Sequence, residues 1–252
     1  MKQSSYDQYR YFLKDTIRKT IDFSKTDQSL GLPPPAIEKP HKRNQDLVAL
    51  TPFSSFQDLY KIDLQYAIKN RQSHRTYTTK KLSLMDLSFL LWATQGIKKR
   101  IDNGHALRTV PSAGARHAFE TYLAVFNVEN LVKGFYRYLP VEHELVVENL
   151  DTIADQKIAQ ACFYQNWIAN AAVFFMWAAI PDRMEWRYGL AAHRVILIDA
   201  GHVCQNLYLA SEAMGAGTCA IAAYDQDLID NLLGLDGNNE FVIYAAAVGN
   251  VA

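Results

Sequence analysis

Two arginines and a serine lie within five residues of one another, at Arg71, Ser73 and Arg75, with Gln72 between them. A guanidinium presents a fixed fork of donors, and two such groups with a hydroxyl can surround the oxygens of a phosphate. The same spacing is also typical of a solvated basic turn. The segment is therefore a candidate anion site, and its spacing alone leaves both interpretations open.

The charge pattern along the chain favours an anion near this segment. Residues 61–120 hold eleven Lys and Arg against four Asp and Glu, whereas residues 201–252 hold no Lys or Arg and six acidic residues. An anionic ligand group is thus expected to meet the first segment.

A loop of small residues follows, formed by Pro111, Ser112, Ala113 and Gly114, ahead of a strand-like run. A backbone with such small side chains can approach a flat ring closely. The alternative is a plain turn without a ligand.

The sequence lacks the motifs of several other classes of binding site and enzyme, or has them in the wrong context. Gly215, Gly217 and Ala220 fit a dinucleotide-binding glycine pattern, but a helix precedes them and a strand follows, which is the reverse of the order that motif needs, so a helix end and a turn are expected. The seven histidines and three cysteines form no metal-binding spacing, and no metal site is predicted. Neither a G-x-S-x-G elbow nor a phosphate-binding P-loop is present.

Composition narrows the class of protein further. The 252 residues carry 26 basic and 26 acidic side chains, so no overall field would hold the chain on nucleic acid or an anionic membrane. The longest apolar run, residues 171–180, is about half of the roughly 20 residues that a spanning helix needs. No secretory signal opens the sequence, and we expect a cytoplasmic protein.

The elements that must position these residues are helices and strands in irregular order. Helical spacing predicts an amphipathic helix over residues 4–22, and the proline-rich stretch 31–40 predicts an extended connector. A helix should end near Arg71, and another should begin after Ser83, with Asp86 completing a capping box, and end at Gly96.

Strands are predicted at 120–128, in a hairpin over 134–148, and at 171–180, 218–224 and 241–249, with helices at 154–166 and 187–214. Because helices outnumber strands and do not alternate with them, the fold class is α+β. We divide the chain into an N-terminal helix and proline-rich arm at 1–60 and a domain at 61–252.

Several blocks in a fixed order then resemble a known family. They are RQSHRTY at 71, LSLMDLSFLLWATQGI at 82, PSAGARHAFETYLAVFNVE at 111, GFYRY at 134, WRYGLAAHRVILIDAGHVCQNLYLASEAMGAG at 186 and VIYAAAVGN at 242. This order resembles the nitroreductase superfamily and, within it, the SagB-type azoline dehydrogenases, over roughly residues 61–250.

The resemblance implies a nitroreductase-like fold, with a central antiparallel or mixed sheet flanked by helices, an intertwined homodimer and FMN at the subunit interface. Arg71, Gln72, Ser73 and Arg75 would bind the FMN phosphate. The neighbouring subunit's Pro111 to Gly114 loop would lie against the flavin ring. The turn of Gly215, Gly217 and Thr218 would offer backbone groups to it. In family members a basic residue of a C-terminal tail also contacts the phosphate, whereas no Lys or Arg follows Arg194 here.

The resemblance also implies catalytic residues. SagB-type dehydrogenases carry a Lys-Tyr pair at the start of the long helix, and Arg187 and Tyr188 stand there in this chain. A guanidinium is a poor base but can stabilise an anion, and Tyr188 can relay a proton unless it is only a packed aromatic.

Three functions stay open. The first is azoline oxidation on a peptide, and the second is reduction of nitro or quinone compounds by NAD(P)H. The third is a catalytically silent dimeric scaffold or partner-binding protein with lost or weak FMN binding. The expected partners are a second copy of the chain and a small-molecule or peptide substrate, with neither nucleic acid nor membrane.

Overall fold

Long apolar runs form the central strands of the protein, whose computed structural model describes residues 2–252. The strands are β1 (Leu47–Ala49), β2 (Ile97–Arg100), β3 (Ala106–Arg108), β4 (Phe119–Val125), β5 (Gly134–Leu139), β6 (Glu144–Leu150), β7 (Val173–Ala179), β8 (Ala216–Ile221) and β9 (Phe241–Asn250). The helices are α1 (Lys2–Leu13), α2 (Phe53–Phe56), α3 (Leu64–Asn70), α4 (Leu84–Gln95), α5 (Ala154–Ala161), α6 (Asp182–Tyr188), α7 (Ala192–Met214) and α8 (Gln226–Leu233).

Seven of these strands form one sheet in the order β1-β6-β5-β4-β7-β9-β8, and every neighbouring pair is antiparallel. Strands β2 and β3 form a separate hairpin. β4 and β7 are buried on both faces, because helices cover the sheet on each side. Side chains from α4 and α7 pack on one face and side chains from α5 and α8 on the other. The α+β class and the helix-flanked antiparallel sheet are thus as the sequence predicted.

The capping signals around α4 are confirmed. The amide of Asp86 donates to Ser83 Oγ at 3.0 Å, the amide of Ser83 donates to Asp86 Oδ2 at 3.1 Å, and Gly96 ends the helix. These bonds satisfy two amides that a helix start would leave unpaired.

The helix predicted for residues 4–22 is wrong in its extent. α1 ends at Leu13, Lys14 takes an extended conformation, and residues 15–20 form a separate 3₁₀ turn. The apolar side chains that suggested a buried face are exposed, at 60% for Tyr6, 73% for Tyr9 and 68% for Leu13. Without packing on that face, no tertiary contact favours a longer helix.

The helix predicted for 187–214 is also wrong at its start. Gly189 has φ 51° and ψ −137°, a backbone conformation that favours glycine, and it separates α6 from α7. Arg187 and Tyr188 therefore end a short helix of their own instead of beginning the long one.

The proline-rich arm is extended, as predicted, and it covers a group of buried charges. Glu120 accepts the Arg183 guanidinium at 2.5 Å, the Arg137 guanidinium at 3.4 Å and the amide of Lys39 at 2.9 Å. Arg137 also donates to the carbonyl of Lys39 at 2.8 Å, and Arg108 donates to the carbonyl of Ile37 at 2.6 Å. The arm backbone thus supplies partners that the buried guanidiniums need.

Over residues 2–252, no helix is long and apolar enough to cross a membrane.

Candidate functional site

The Arg71 to Arg75 segment lies along the outer edge of the sheet. α3 ends at Asn70, and the chain then runs beside β8, where Ser73 pairs with Thr218 and the amide of His74 donates to the carbonyl of Thr218 at 3.0 Å. Because β8 is the last strand of the sheet, its free edge is what fixes this segment.

Tyr208 of α7 organises the side chains of this segment. The Arg71 guanidinium carbon lies 5.1 Å from the centre of the Tyr208 ring, and Ser73 Oγ lies 2.9 Å from the Tyr208 hydroxyl. The amide of Ala220 donates to the same hydroxyl oxygen at 2.8 Å. Either hydroxyl can donate to the other, and the Ser73 side chain is exposed to solvent.

The two arginines have aromatic neighbours and no acidic partner. The Arg75 guanidinium carbon lies 5.9 Å from the centre of the Trp167 ring. Among residues 2–252, no carboxylate lies within 4.0 Å of the Arg71 or Arg75 guanidinium. Gln72 is exposed beside them. The segment therefore offers two uncompensated positive charges and a hydroxyl on one edge.

The turn after α7 supports this segment. Gly215 ends α7 with φ 70°, as expected for a helix end. A Cβ on Gly217 would lie 2.7 Å from the Cβ of His74, so only glycine allows the segment to come this close. Thr218 Oγ1 donates to Ser211 Oγ at 2.6 Å and its carbonyl accepts from His74. Thr218 thus underlies the segment.

The loop of small residues has a strained, well-anchored backbone. Gly114, Ala115 and His117 all have positive φ, at 58°, 53° and 47°. The amide of His117 donates to Ser112 Oγ at 2.9 Å, and the amide of Ala113 donates to the Asp199 carboxylate at 3.2 Å. A left-handed residue other than glycine costs about 1–2 kcal/mol, so these bonds are needed to keep the loop in shape.

Arg187 and Tyr188 lie against this loop. A Cβ on Gly114 would come within 2.7 Å of the Tyr188 hydroxyl and within 2.8 Å of Arg187 Cδ and Nε. The Arg187 guanidinium carbon is 5.6 Å from the centre of the Tyr188 ring, and both residues are half-buried. The structure thus brings the predicted catalytic pair and Gly114 of the predicted loop together.

The two clusters contact opposite faces of α7. Asp199 holds the loop and Tyr208 holds the Arg71 segment; their nine-residue separation is about 13 Å along the axis and half a turn around it. One copy of the chain therefore presents the loop and the arginines on different sides of the same helix.

Burial changes the pKa of two groups beside the loop. Burial raises the pKa of Asp199, although bonds from Ser112 and Ala113 act against it. Burial and the nearby Arg108 guanidinium lower the pKa of His117 to about 3, so this imidazole is neutral. Within residues 2–252, no group of three or more His, Cys, Asp or Glu side chains could hold a metal ion.

Asp199 and Tyr208 are the residues of the candidate site that the sequence analysis did not select. Asp199 is the one acidic residue between Glu185 and Glu212, and an isolated acid within a long helix was a usable signal. Tyr208 had no such signal, because its role depends on a contact with Ser73 far away in the sequence.

Comparison with known proteins places the chain in a family. The profile of the nitroreductase family matches residues 68–250. The chain belongs to the nitroreductase family. A protein of Methanocaldococcus jannaschii named as a nitroreductase is 33% identical over 176 residues, which cover 70% of this chain and 86% of that protein. The trifolitoxin-processing protein TfxB of Rhizobium leguminosarum bv. trifolii is 21% identical over 76% of this chain, which spans 52% of TfxB.

Solved structures share the fold. One from Anabaena variabilis, titled as a nitroreductase, has a TM-score of 0.68 at 24% identity and covers 85% of this chain, which spans 43% of it. The E. coli microcin synthetase McbBCD complex, with truncated pro-MccB17 bound, has a TM-score of 0.60 at 20% identity and covers 81% of this chain and 84% of its own. The fold is therefore nitroreductase-like, as the sequence resemblance implied.

Proposed function

We propose that this nitroreductase-family protein is an FMN-dependent oxidoreductase whose phosphate-binding residues are Arg71, Ser73 and Arg75. The observation that carries the proposal is the pair of guanidiniums without an acidic partner, beside the exposed Ser73 hydroxyl. A phosphate dianion supplies the charge that this arrangement lacks, and each charge-assisted bond contributes about 1.5–3 kcal/mol.

The residues present fit the phosphate end of FMN. The donor set is cationic, and Gly217 leaves room for the segment to lie flat on β8. Gln72 and the backbone near Gly215 are further candidate contacts. FMN, when bound, supplies a centre at N5 that accepts or donates a hydride.

The chain's own residues would orient the substrate and, in azoline oxidation, take up the proton that leaves it. The Asp199 carboxylate holds the amide of Ala113, and we propose that this fixes the loop of Pro111, Ser112, Ala113 and Gly114 for contact with a flat ring. In azoline oxidation Tyr188 would relay the proton that leaves the substrate through its hydroxyl. The Arg187 guanidinium would stabilise negative charge beside it.

A homodimer would complete the site. The loop and the Arg71 segment contact opposite faces of α7, so one copy would not present both to the same ligand. A second copy would supply the loop to the Arg71 segment of the first. Large apolar side chains are exposed on α3, which leads into the segment, and on α7, at 63% for Leu64, 59% for Ile68 and 47% for Leu197. Such a surface is typical of a protein interface.

A mixing experiment tests this arrangement. One variant carries Arg71→Gln and Arg75→Gln, and the other carries Gly114→Val; each alone should lose bound FMN. If each site combines the arginines of one copy with the loop of the other, unfolding and refolding the two together restores FMN to about a quarter of the sites. No recovery in confirmed mixed dimers would exclude the shared site.

Two substrate classes follow from the family. Azoline oxidation on a peptide is supported by the Arg187–Tyr188 pair beside the loop and by the similarity to TfxB, a trifolitoxin-processing protein. Reduction of nitro or quinone compounds by NAD(P)H is supported by the nitroreductase name of the 33% identical relative. Two assays separate these classes: oxidation of NAD(P)H in the presence of a nitroaromatic, and the absorbance change when a thiazoline peptide is converted to a thiazole.

We propose a cytoplasmic setting, in keeping with three buried, unpaired cysteines.

The deciding experiment is the visible absorbance of the purified chain, with the released chromophore identified. Stoichiometric FMN is expected, and Arg71→Gln or Arg75→Gln should each weaken FMN binding by about ten- to a hundredfold. Arg43→Gln removes the same charge from an exposed loop and serves as the matched control. A colourless protein that also rejects added FMN would refute the proposal and favour the silent scaffold.

A further inference from the structure

A cavity of about 550 Å³ lies outside the candidate site, within the size range of small-molecule sites. Three segments form its walls: the end of α4 with β2, the turn between β5 and β6, and the residues that follow β1. None of the residues assigned above to phosphate, ring or proton transfer lines this cavity.

Hydrogen bonds hold the walls in place without a ligand. His143 Nε2 lies 3.0 Å from the carbonyl of Thr51, and His143 Nδ1 lies 2.8 Å from the Tyr138 hydroxyl. A carbonyl only accepts, so Nε2 carries the proton; burial lowers the pKa of His143 and favours the neutral ring, whose Nδ1 then accepts from Tyr138. The amide of Thr51 in turn donates to Ser88 Oγ of α4 at 2.9 Å.

Aromatic rings form part of the lining. Phe53 and Trp92 stack at 4.4 Å between ring centres with 25° between their planes, and Tyr138 lies in another wall. Phe53 is 43% exposed although it is large and apolar. A flat ring entering the cavity would cover this apolar surface and extend the stack.

Charged side chains of both signs also line the cavity. Lys98 belongs to the β2 wall, and Glu142 and Glu144 belong to the β5–β6 turn. Within the described part of the chain, none of the three lies within 4.0 Å of an opposite charge. A ligand with one negative and one positive group would give both walls a partner.

We propose that this cavity binds a free aromatic α-amino acid. Its ring packs against Phe53 and Trp92, its carboxylate faces Lys98, and its ammonium faces Glu142 and Glu144. The proposal does not depend on FMN binding or on the oxidoreductase activity, so either can fail without the other.

Calorimetric titration of the full chain with four related probes tests the ligand class. They are L-phenylalanine, 3-phenylpropionate without the ammonium, phenethylamine without the carboxylate, and N-acetylphenylalaninamide without either charge. L-phenylalanine should bind at least about tenfold more tightly than each of the others. It should also change the tryptophan fluorescence, and Trp92→Phe should remove that change.

Variants assign the contacts. Lys98→Gln should reduce L-phenylalanine to the affinity of phenethylamine, and Glu142→Gln should bring it towards that of 3-phenylpropionate. Lys99→Gln is the matched control, because Lys99 is exposed on the same strand and does not line the cavity. Unchanged far-UV circular dichroism and melting temperature would show that each variant is folded.

Three results would overturn the proposal. The first is no binding of L-phenylalanine at millimolar concentration, and the second is equal loss from Lys98→Gln and Lys99→Gln. The third is binding of N-acetylphenylalaninamide as tightly as L-phenylalanine, which would instead assign the cavity to an aromatic residue within a peptide chain.

Discussion

Replacing Glu120 by glutamine should destabilise the protein strongly. Glu120 is 2% exposed and is the carboxylate between the buried guanidiniums of Arg183 and Arg137, at 2.5 and 3.4 Å. Burial alone would raise the pKa of Glu120, but these guanidiniums outweigh burial and hold it below its usual value. The variant keeps the shape of the side chain and removes only its charge.

The expected loss is about 3–5 kcal/mol, the usual cost of leaving a buried charge without its partner. At about 3 kcal/mol per molar urea for a chain of this size, the unfolding midpoint should fall by roughly 1–1.7 M. Urea titration followed by far-UV circular dichroism measures it. The sign with pH follows from the lowered pKa: the Glu120 contribution is present near neutral pH and is lost as the pH falls below about 4.

Glu129→Gln is the control, because Glu129 is exposed and should change stability by less than about 0.5 kcal/mol. Equal midpoints for the two variants would refute the view that the buried charges depend on Glu120. A deletion of residues 1–45 should be as damaging as Glu120→Gln, since it removes the carbonyls of Ile37 and Lys39. A deletion of residues 1–25 keeps these carbonyls and should leave the midpoint nearly unchanged.

Three further outcomes are expected. His117→Asn should reduce the loss of stability on acidification. In the wild type the pKa of His117 is about 3, so the free energy of unfolding should fall by about 1.4 kcal/mol per pH unit between pH 6.5 and 3. Urea midpoints at several pH values measure this, and parallel profiles for the two proteins would contradict it. Tyr188→Phe should lower azoline oxidation by about a hundredfold or more while sparing NAD(P)H-dependent nitro reduction, so steady-state rates on both substrates test the proton role. Gly217→Ala should weaken FMN binding by about tenfold, because the new Cβ would meet His74 at 2.7 Å; an unchanged affinity by fluorescence titration would show that the segment can shift freely.

The elements that could be predicted from the sequence have local signals. The capping box at Ser83 and Asp86, the apolar run of β7 and the helix end at Gly215 all depend on neighbours in the sequence. The segment of Arg71, Ser73 and Arg75 could also be selected as a candidate anion site, because its arginines and serine are close in sequence. Its place beside β8 was not, since that contact joins Ser73 to Thr218.

The parts that were missed depend on contacts between distant residues or on one backbone angle. The break between α6 and α7 depends on the φ of 51° at Gly189, and a single glycine in a helical pattern does not predict such a break. β1 has three residues and no apolar alternation to recognise. The contacts of Lys39 in the arm with Arg137 and Glu120 join residues that are 98 and 81 positions apart in the sequence, and nothing local indicates them.

α7 links the two halves of the proposed site. Asp199 fixes the loop and Tyr208 fixes the Arg71 segment, and the continuous α-helix between them is too stiff to let their separation vary. In a symmetric pair of chains, each α7 would therefore set the position of the loop for one site and of the arginines for the other. A change that shifts α7 should then alter both sites together, and a change confined to Asp199 should disturb the loop without reducing the charge that the arginines offer to a phosphate.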